Sequence, residues 1–145
     1  MTGRIEKKLT ELKIDLPSPA APVASYSPFI LSNNLLFISG QGPFKDGKLI
    51  TGKVGSNLTI EEGQNAAHLC GEMILAQAKL ATGSLDKIKK CIKLGGFVNC
   101  SDTFTDQAMV IEGASRLMID IFEENSGNSV RNGRSSFNIG ALFNL

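Results

Sequence analysis

Leu35-Leu36-Phe37-Ile38-Ser39-Gly40-Gln41-Gly42-Pro43 runs from an apolar strand into a sharp turn. Its apolar half, bounded by Asn33-Asn34 before and by Gly40, Gly42 and Pro43 after, reads as a strand buried on both faces. Ser39 and Gln41 then stand where that strand reaches the surface. Two glycines at the exit let another group come close, which marks the strand end as a candidate cleft.

Working outward, Phe29 to Leu31 pairs with this strand through the turn-forming Ser32-Asn33-Asn34. Downstream, the Lys45-Asp46-Gly47-Lys48 turn leads to a third short strand, Leu49 to Thr51. Upstream, Leu16 to Pro28 carries four prolines and reads as an extended arm, because proline removes backbone donors and biases its neighbours toward extended geometry. That arm ends beside Tyr26, the chain's single tyrosine. Ile5, Leu9 and Leu12 step at helical spacing before it, so a short amphipathic helix opens the chain.

Thr59 and Glu62 form a capping box ahead of the longest helix, in which Ala67, Cys70, Ile74, Ala78 and Ala81 make a stripe of mostly small residues and Gly83 is the C-cap. His68 lies beside that stripe with no partner expected at ligand spacing, and is read as structural. Lys87, Lys89, Lys90 and Lys93 precede Gly95-Gly96-Phe97-Val98 and are expected to line the wet edge of a strand. Val110, Ala114, Leu117, Met118, Ile121 and Phe122 define a second helix, with Asp106 near its start and Asn125 and Gly127 after its end. Two helices that each bury one face require a sheet of at least four strands, hence an α+β layered fold. The sheet's other face needs a cover, which self-association supplies most simply.

Residues 1–145 read as one domain, with 1–28 as helix and arm within it. Fifteen basic and 14 acidic residues leave a formal charge of +1, too little for a field that attracts nucleic acid or an anionic membrane. Met1 is followed by polar residues rather than an apolar secretory core, and no run is long enough to span a bilayer, so a cytoplasmic location is expected. Cys70, Cys91 and Cys100 share no metal-type spacing and are expected to be reduced and part-buried. Gly52-Lys53-Val54-Gly55 lacks the spacing of a phosphate loop.

Taken in order, Tyr26, Ser39-Gly40-Gln41-Gly42-Pro43, Gly96-Phe97-Val98-Asn99 with Phe104-Thr105-Asp106-Gln107, and finally Arg134-Ser135 resemble the Rid family, also called YjgF or reactive intermediate deaminases. The Phe-Thr-Asp-Gln and Gly113-Ala114-Ser115 elements look most like a divergent branch of it. The resemblance implies a chorismate-mutase-like fold with an antiparallel-rich mixed sheet and two long helices on one face. It also implies a homotrimer with clefts between subunits, and hydrolysis of enamines and imines such as 2-aminoacrylate to 2-oxo acids and ammonia, with no cofactor or metal. On this resemblance Arg134, Tyr26 and Ser136 form the catalytic set, Ser136 standing where many members have cysteine. Arg134 with Ser39, Gly40 and Asp102 would bind the small imino or oxo acid.

One departure stands out. The family carries a water-holding glutamate on a last strand after the arginine strand, whereas this chain reads Gly140-Ala141-Leu142-Phe143-Asn144-Leu145 there. Absence of that strand would leave a sheet edge unpaired, and Asp102 and Glu112 are the carboxylates that could substitute for the glutamate. A non-catalytic trimer binding a small carboxylate or a partner is therefore the alternative function. An endoribonuclease or translation inhibitor, labels the family also carries, comes third, because one histidine does not make an acid and base pair and lysines without aromatic platforms make a poor RNA surface.

Overall fold

The computed structural model describes residues 3–21 and 25–145; residues 22–24 of the proline arm lie outside them. Helix α1, Arg4–Glu11, is only two turns long and is held by a tertiary cap: the Asp86 carboxylate accepts from the Arg4 and Ile5 amides at 3.1 and 2.9 Å. Strand β1, Phe29–Ser32, pairs antiparallel with β2, Leu35–Gln41, through the Asn33-Asn34 turn, with Asn33 left-handed at φ 54°.

Strands β3, Phe44–Lys45, and β4, Lys48–Leu49, form a separate hairpin around Asp46-Gly47. The third strand expected at Leu49 to Thr51 is thus not part of the main sheet. Helix α2, Ile60–Thr82, starts at the full Thr59–Glu62 capping box and stops at left-handed Gly83. A short turn of 3-10 helix, Leu85–Lys87, leads into β5, Lys90–Val98, followed by α3, Gln107–Phe122, β6, Gly127–Asn132, and β7, Asn138–Asn144. Glu123, left-handed at φ 62°, ends α3, and Asn125 and Gly127 follow it as expected.

The main sheet has five strands in the order β1-β2-β7-β5-β6, antiparallel except for β5 with β6. Two sequence-based expectations change here. A strand after Arg134 does exist, as β7, and its place between β2 and β5 leaves β1 and β6 as the edges. The lysine-rich segment enters β5, an interior strand, so its lysines do not guard an edge; Lys90 instead pairs with Glu124 at 3.7 Å.

Leu36 and Ile38 of β2, Leu94 of β5 and Ile139 and Phe143 of β7 point to one face and meet Cys70 and Ile74 of α2 and Leu117, Met118 and Ile121 of α3. Burying such side chains contributes about 1.5–3 kcal/mol each. The two helices are in close contact at Gly113, where a Cβ would overlap the Gln64 carbonyl. Strand β2 is not buried on both faces: Phe37 is 44% exposed on the side away from the helices, as are Ile30 at 58% and Phe97 at 45%. All three cysteines are free and wholly buried rather than part-buried. Burial pushes the Cys70 thiol up, and that of Cys91 up to about 12. Among the described residues no helix is long and apolar enough to cross a membrane.

Candidate functional site

The β2 exit is built by a bulge. Ile38 faces Ala141 but Gln41 faces Ile139, so β2 spends one residue more than β7 between them. Residues three apart on a regular strand point to opposite faces; the extra residue turns Gln41 inward, where it is 5% exposed. Its Nε2 donates to the Ser39 carbonyl at 2.9 Å, and its Oε1 accepts from Gln77 Nε2 at 3.3 Å. Gln77 Nε2 also donates to the Ala20 carbonyl at 2.9 Å. A buried amide pair therefore fastens the arm to both strand and helix. Ser39 fastens the arm's other end, its hydroxyl donating to the Ser27 carbonyl at 2.6 Å and its amide to the Pro28 carbonyl at 2.9 Å.

These ties frame a cavity of about 310 Å³ lined by Ala20, Ala21, Tyr26, Pro28, Gly40, Gln41, Gly42, Phe44, Leu49, Ser135, Ser136 and Phe137. Three sequence-predicted residues, Tyr26, Gly40 and Ser136, come from separate segments and share it. A Cβ on Gly40 would overlap the Asn138 carboxamide, whose Nδ2 in turn donates to Ser136 Oγ. Ser39 does not line the cavity; it holds the rim. Arg134 is exposed immediately beside the lining residue Ser135 and does not itself line the cavity. Asp102 sits exposed in the turn after β5, also outside it.

A second, larger groove of about 890 Å³ lies between arm, α2 and the β3–β4 hairpin and shares Ala20 and Phe44 with the first. His68 is on its wall and does have a carboxylate partner that the sequence reading missed: Glu72, one helical turn on, at 3.0 Å. That hydrogen bond, aided by the Glu72 charge and the Gly113 backbone and opposed by partial burial, holds the His68 pKa above its ordinary value. Among the described residues no three metal-ligating side chains converge.

Sequence reasoning also missed Gln77, Asn138, Asn99 and Asn132. Asn99 stands in the quoted Gly96-Phe97-Val98-Asn99 motif and Asn132 in the turn-forming Asn132-Gly133 pair, but their roles were hidden because their partners are brought near by β5–β6 pairing.

The family model described as "YjgF/chorismate_mutase-like, putative endoribonuclease" matches residues 6–136. The chain is 41% identical over 131 residues to Protein TCP17 of Trypanosoma cruzi, covering 90% of this chain and 82% of that protein. Among solved structures, protein Atu1372 of Agrobacterium tumefaciens is 39% identical with a TM-score of 0.87, covering 97% of this chain and 92% of its own. A structure from Shewanella oneidensis, described as a putative endoribonuclease, is 28% identical with a TM-score of 0.91, covering 99% and 100% respectively.

Proposed function

The chain belongs to the YjgF/chorismate-mutase-like family, and we propose that it hydrolyses small enamine or imine intermediates of the 2-aminoacrylate type to 2-oxo acids and ammonia. The observation that carries this reading is the single small cavity shared by Tyr26, Gly40 and Ser136, with Arg134 at its border.

The chemistry needs little from the protein. An enamine first takes a proton at its terminal carbon and becomes an iminium, whose carbon is electrophilic. Water adds to the C=N bond, a proton passes from the added water to the nitrogen, and the carbinolamine expels ammonia as the hydroxyl gives up its proton to solvent and the C=O bond forms. What a protein adds is a held substrate and a placed water. The Arg134 guanidinium suits the substrate carboxylate through two parallel hydrogen bonds, contributing about 1.5–3 kcal/mol in a sheltered cleft. The Tyr26 and Ser136 hydroxyls, with that of Ser135 beside them, are polar groups at hand to orient the water and to donate to the departing nitrogen.

Shelter is where a second copy enters. Ile30, Phe37 and Phe97 expose an apolar sheet face, and covering it in a homotrimer would close the cavity mouth and bring Arg134 into a cleft between subunits.

One observation favours a second reading, binding without turnover. The strand after Arg134 carries Asn138-Ile139-Gly140-Ala141-Leu142-Phe143-Asn144, with no carboxylate to hold water. The endoribonuclease label of the relatives is less well supported, since the only histidine is engaged with Glu72 on α2.

The deciding experiment couples a dehydratase that releases 2-aminoacrylate to this protein and follows ammonia, with Arg134→Ala in parallel. Acceleration by the wild type and loss of about 10²-fold or more in the variant is expected. Saturable binding of 2-oxobutanoate with no acceleration would establish the binding module instead.

A further inference from the structure

Arg134 and Ser135 are consecutive residues with positive φ, 46° and 89°, a backbone that side chains disfavour and that persists only when surrounding contacts impose it. The contacts that impose it come from two asparagines on different segments. The Arg134 amide donates to Asn132 Oδ1 at 2.9 Å, and the Ser135 amide donates to Asn99 Oδ1 at 3.1 Å.

Each carboxamide is held at its other end as well. Asn99 Nδ2 donates to the Gly52 carbonyl at 2.7 Å, and Asn132 Nδ2 to the Cys100 carbonyl at 3.4 Å. The Gly52 loop is itself rigidly seated. Buried Val54 donates its amide to the Asn99 carbonyl at 2.9 Å and accepts from the Ser101 amide at 2.9 Å, while Gly52 and Gly55 take φ of 143° and 87°. The glycine-rich Gly52-Lys53-Val54-Gly55 segment is thus a brace rather than a phosphate cradle.

We propose that Asn99 and Asn132 are positioning residues for Arg134: they set the turn from which its guanidinium reaches the substrate carboxylate. This rests on the reading of Arg134 as the carboxylate grip. An asparagine suits the task because its oxygen accepts the turn amide while its nitrogen anchors to a neighbouring carbonyl. Neither alanine nor leucine offers either bond.

The test compares Asn99→Ala, Asn132→Ala and Asn132→Asp with wild type on two imines, one bearing a carboxylate and one derived from the matching amino-acid amide. For the carboxylate substrate KM is expected to rise about tenfold in the alanine variants with kcat little changed, and for the amide substrate neither constant should move. Asn132→Asp keeps the acceptor for the Arg134 amide but sets a charged oxygen against the Cys100 carbonyl in place of a donor, so it should recover only part of the affinity while holding the Arg134 amide exchange near the wild-type rate. Added to Arg134→Ala, the asparagine changes should cost nothing further, and amide exchange at Arg134 and Ser135 should quicken about tenfold in either alanine variant. An active wild type whose alanine variants keep its KM and exchange rates, or lose both substrates equally, overturns the assignment alone. A wild type that neither releases ammonia nor binds 2-oxobutanoate overturns the functional reading and this assignment with it.

Discussion

Gly40 and Asn138 meet across the seam between β2 and β7 with the Asn138 carboxamide oxygen standing where residue 40 would carry a Cβ. Because that oxygen is the end of a side chain, Gly40→Ala should cost little stability, under about 1.5 kcal/mol, as the carboxamide swings away. The site should suffer more. Asn138 would leave Ser136 Oγ, and the variant should show a near-native urea midpoint with impaired imine hydrolysis or 2-oxo acid binding. An unchanged binding constant would count against a working role for this corner.

Gly113 presents the opposite case. There the obstacle is the Gln64 backbone carbonyl in α2, which cannot rotate aside. Gly113→Ala should force the helices apart and cost about 3 kcal/mol, the upper part of the usual overpacking range. Thermal denaturation beside Gly71→Ala, whose obstacle is a Leu117 methyl, would check it; equal melting temperatures would contradict the packing described.

His68 makes stability depend on pH. Its pKa is raised in the fold, chiefly by the hydrogen bond to Glu72, so the folded state favours the protonated ring. The contribution is fully present below the unfolded value of 6.5 and is lost as pH rises through the higher folded value. Glu72→Gln should therefore lower the midpoint of unfolding more at about pH 6 than at about pH 9, and NMR titration of the His68 ring should shift toward lower pH. A variant ring that titrates as in wild type would show that Glu72 is not the cause.

Phe37 tests the open sheet face. Phe37→Glu puts a charge at the centre of the apolar patch formed with Ile30 and leaves the helix-facing core untouched. If the proposed homotrimer uses this face, light scattering should report a smaller species than wild type with unchanged helical circular dichroism, and hydrolysis should fall where the cleft needs two subunits. A variant of the same size as wild type would count against an interface on this face.

Much of the fold was legible because it is written in local chemistry. The Thr59–Glu62 box and Gly83 mark both ends of α2, and helical spacing marks α3. What failed was whatever depends on who lies next to whom. Leu49 to Thr51 looked like a sheet strand, the β5 lysines looked like edge guards, and the segment after Arg134 looked too short for the missing strand. Strand order is decided by pairing between segments far apart in sequence, and no local pattern encodes it.

For the site the division is similar. Tyr26, Gly40 and Ser136 could be named from motif order, while their convergence on one cavity, the bulge that turns Gln41 inward, and the Asn99 and Asn132 ties behind Arg134 could not. The sequence by itself determined the helices, the two caps of α2, the β1–β2 hairpin and the residue types available to a small-carboxylate site, since each follows from backbone preferences and periodicity within a few turns. Only the tertiary structure decided that β7 lies between β2 and β5, because that position depends on burying Ile139 and Phe143 against both helices at once. It also set Arg134 beside the cavity rather than within it, through hydrogen bonds between residues more than thirty positions apart.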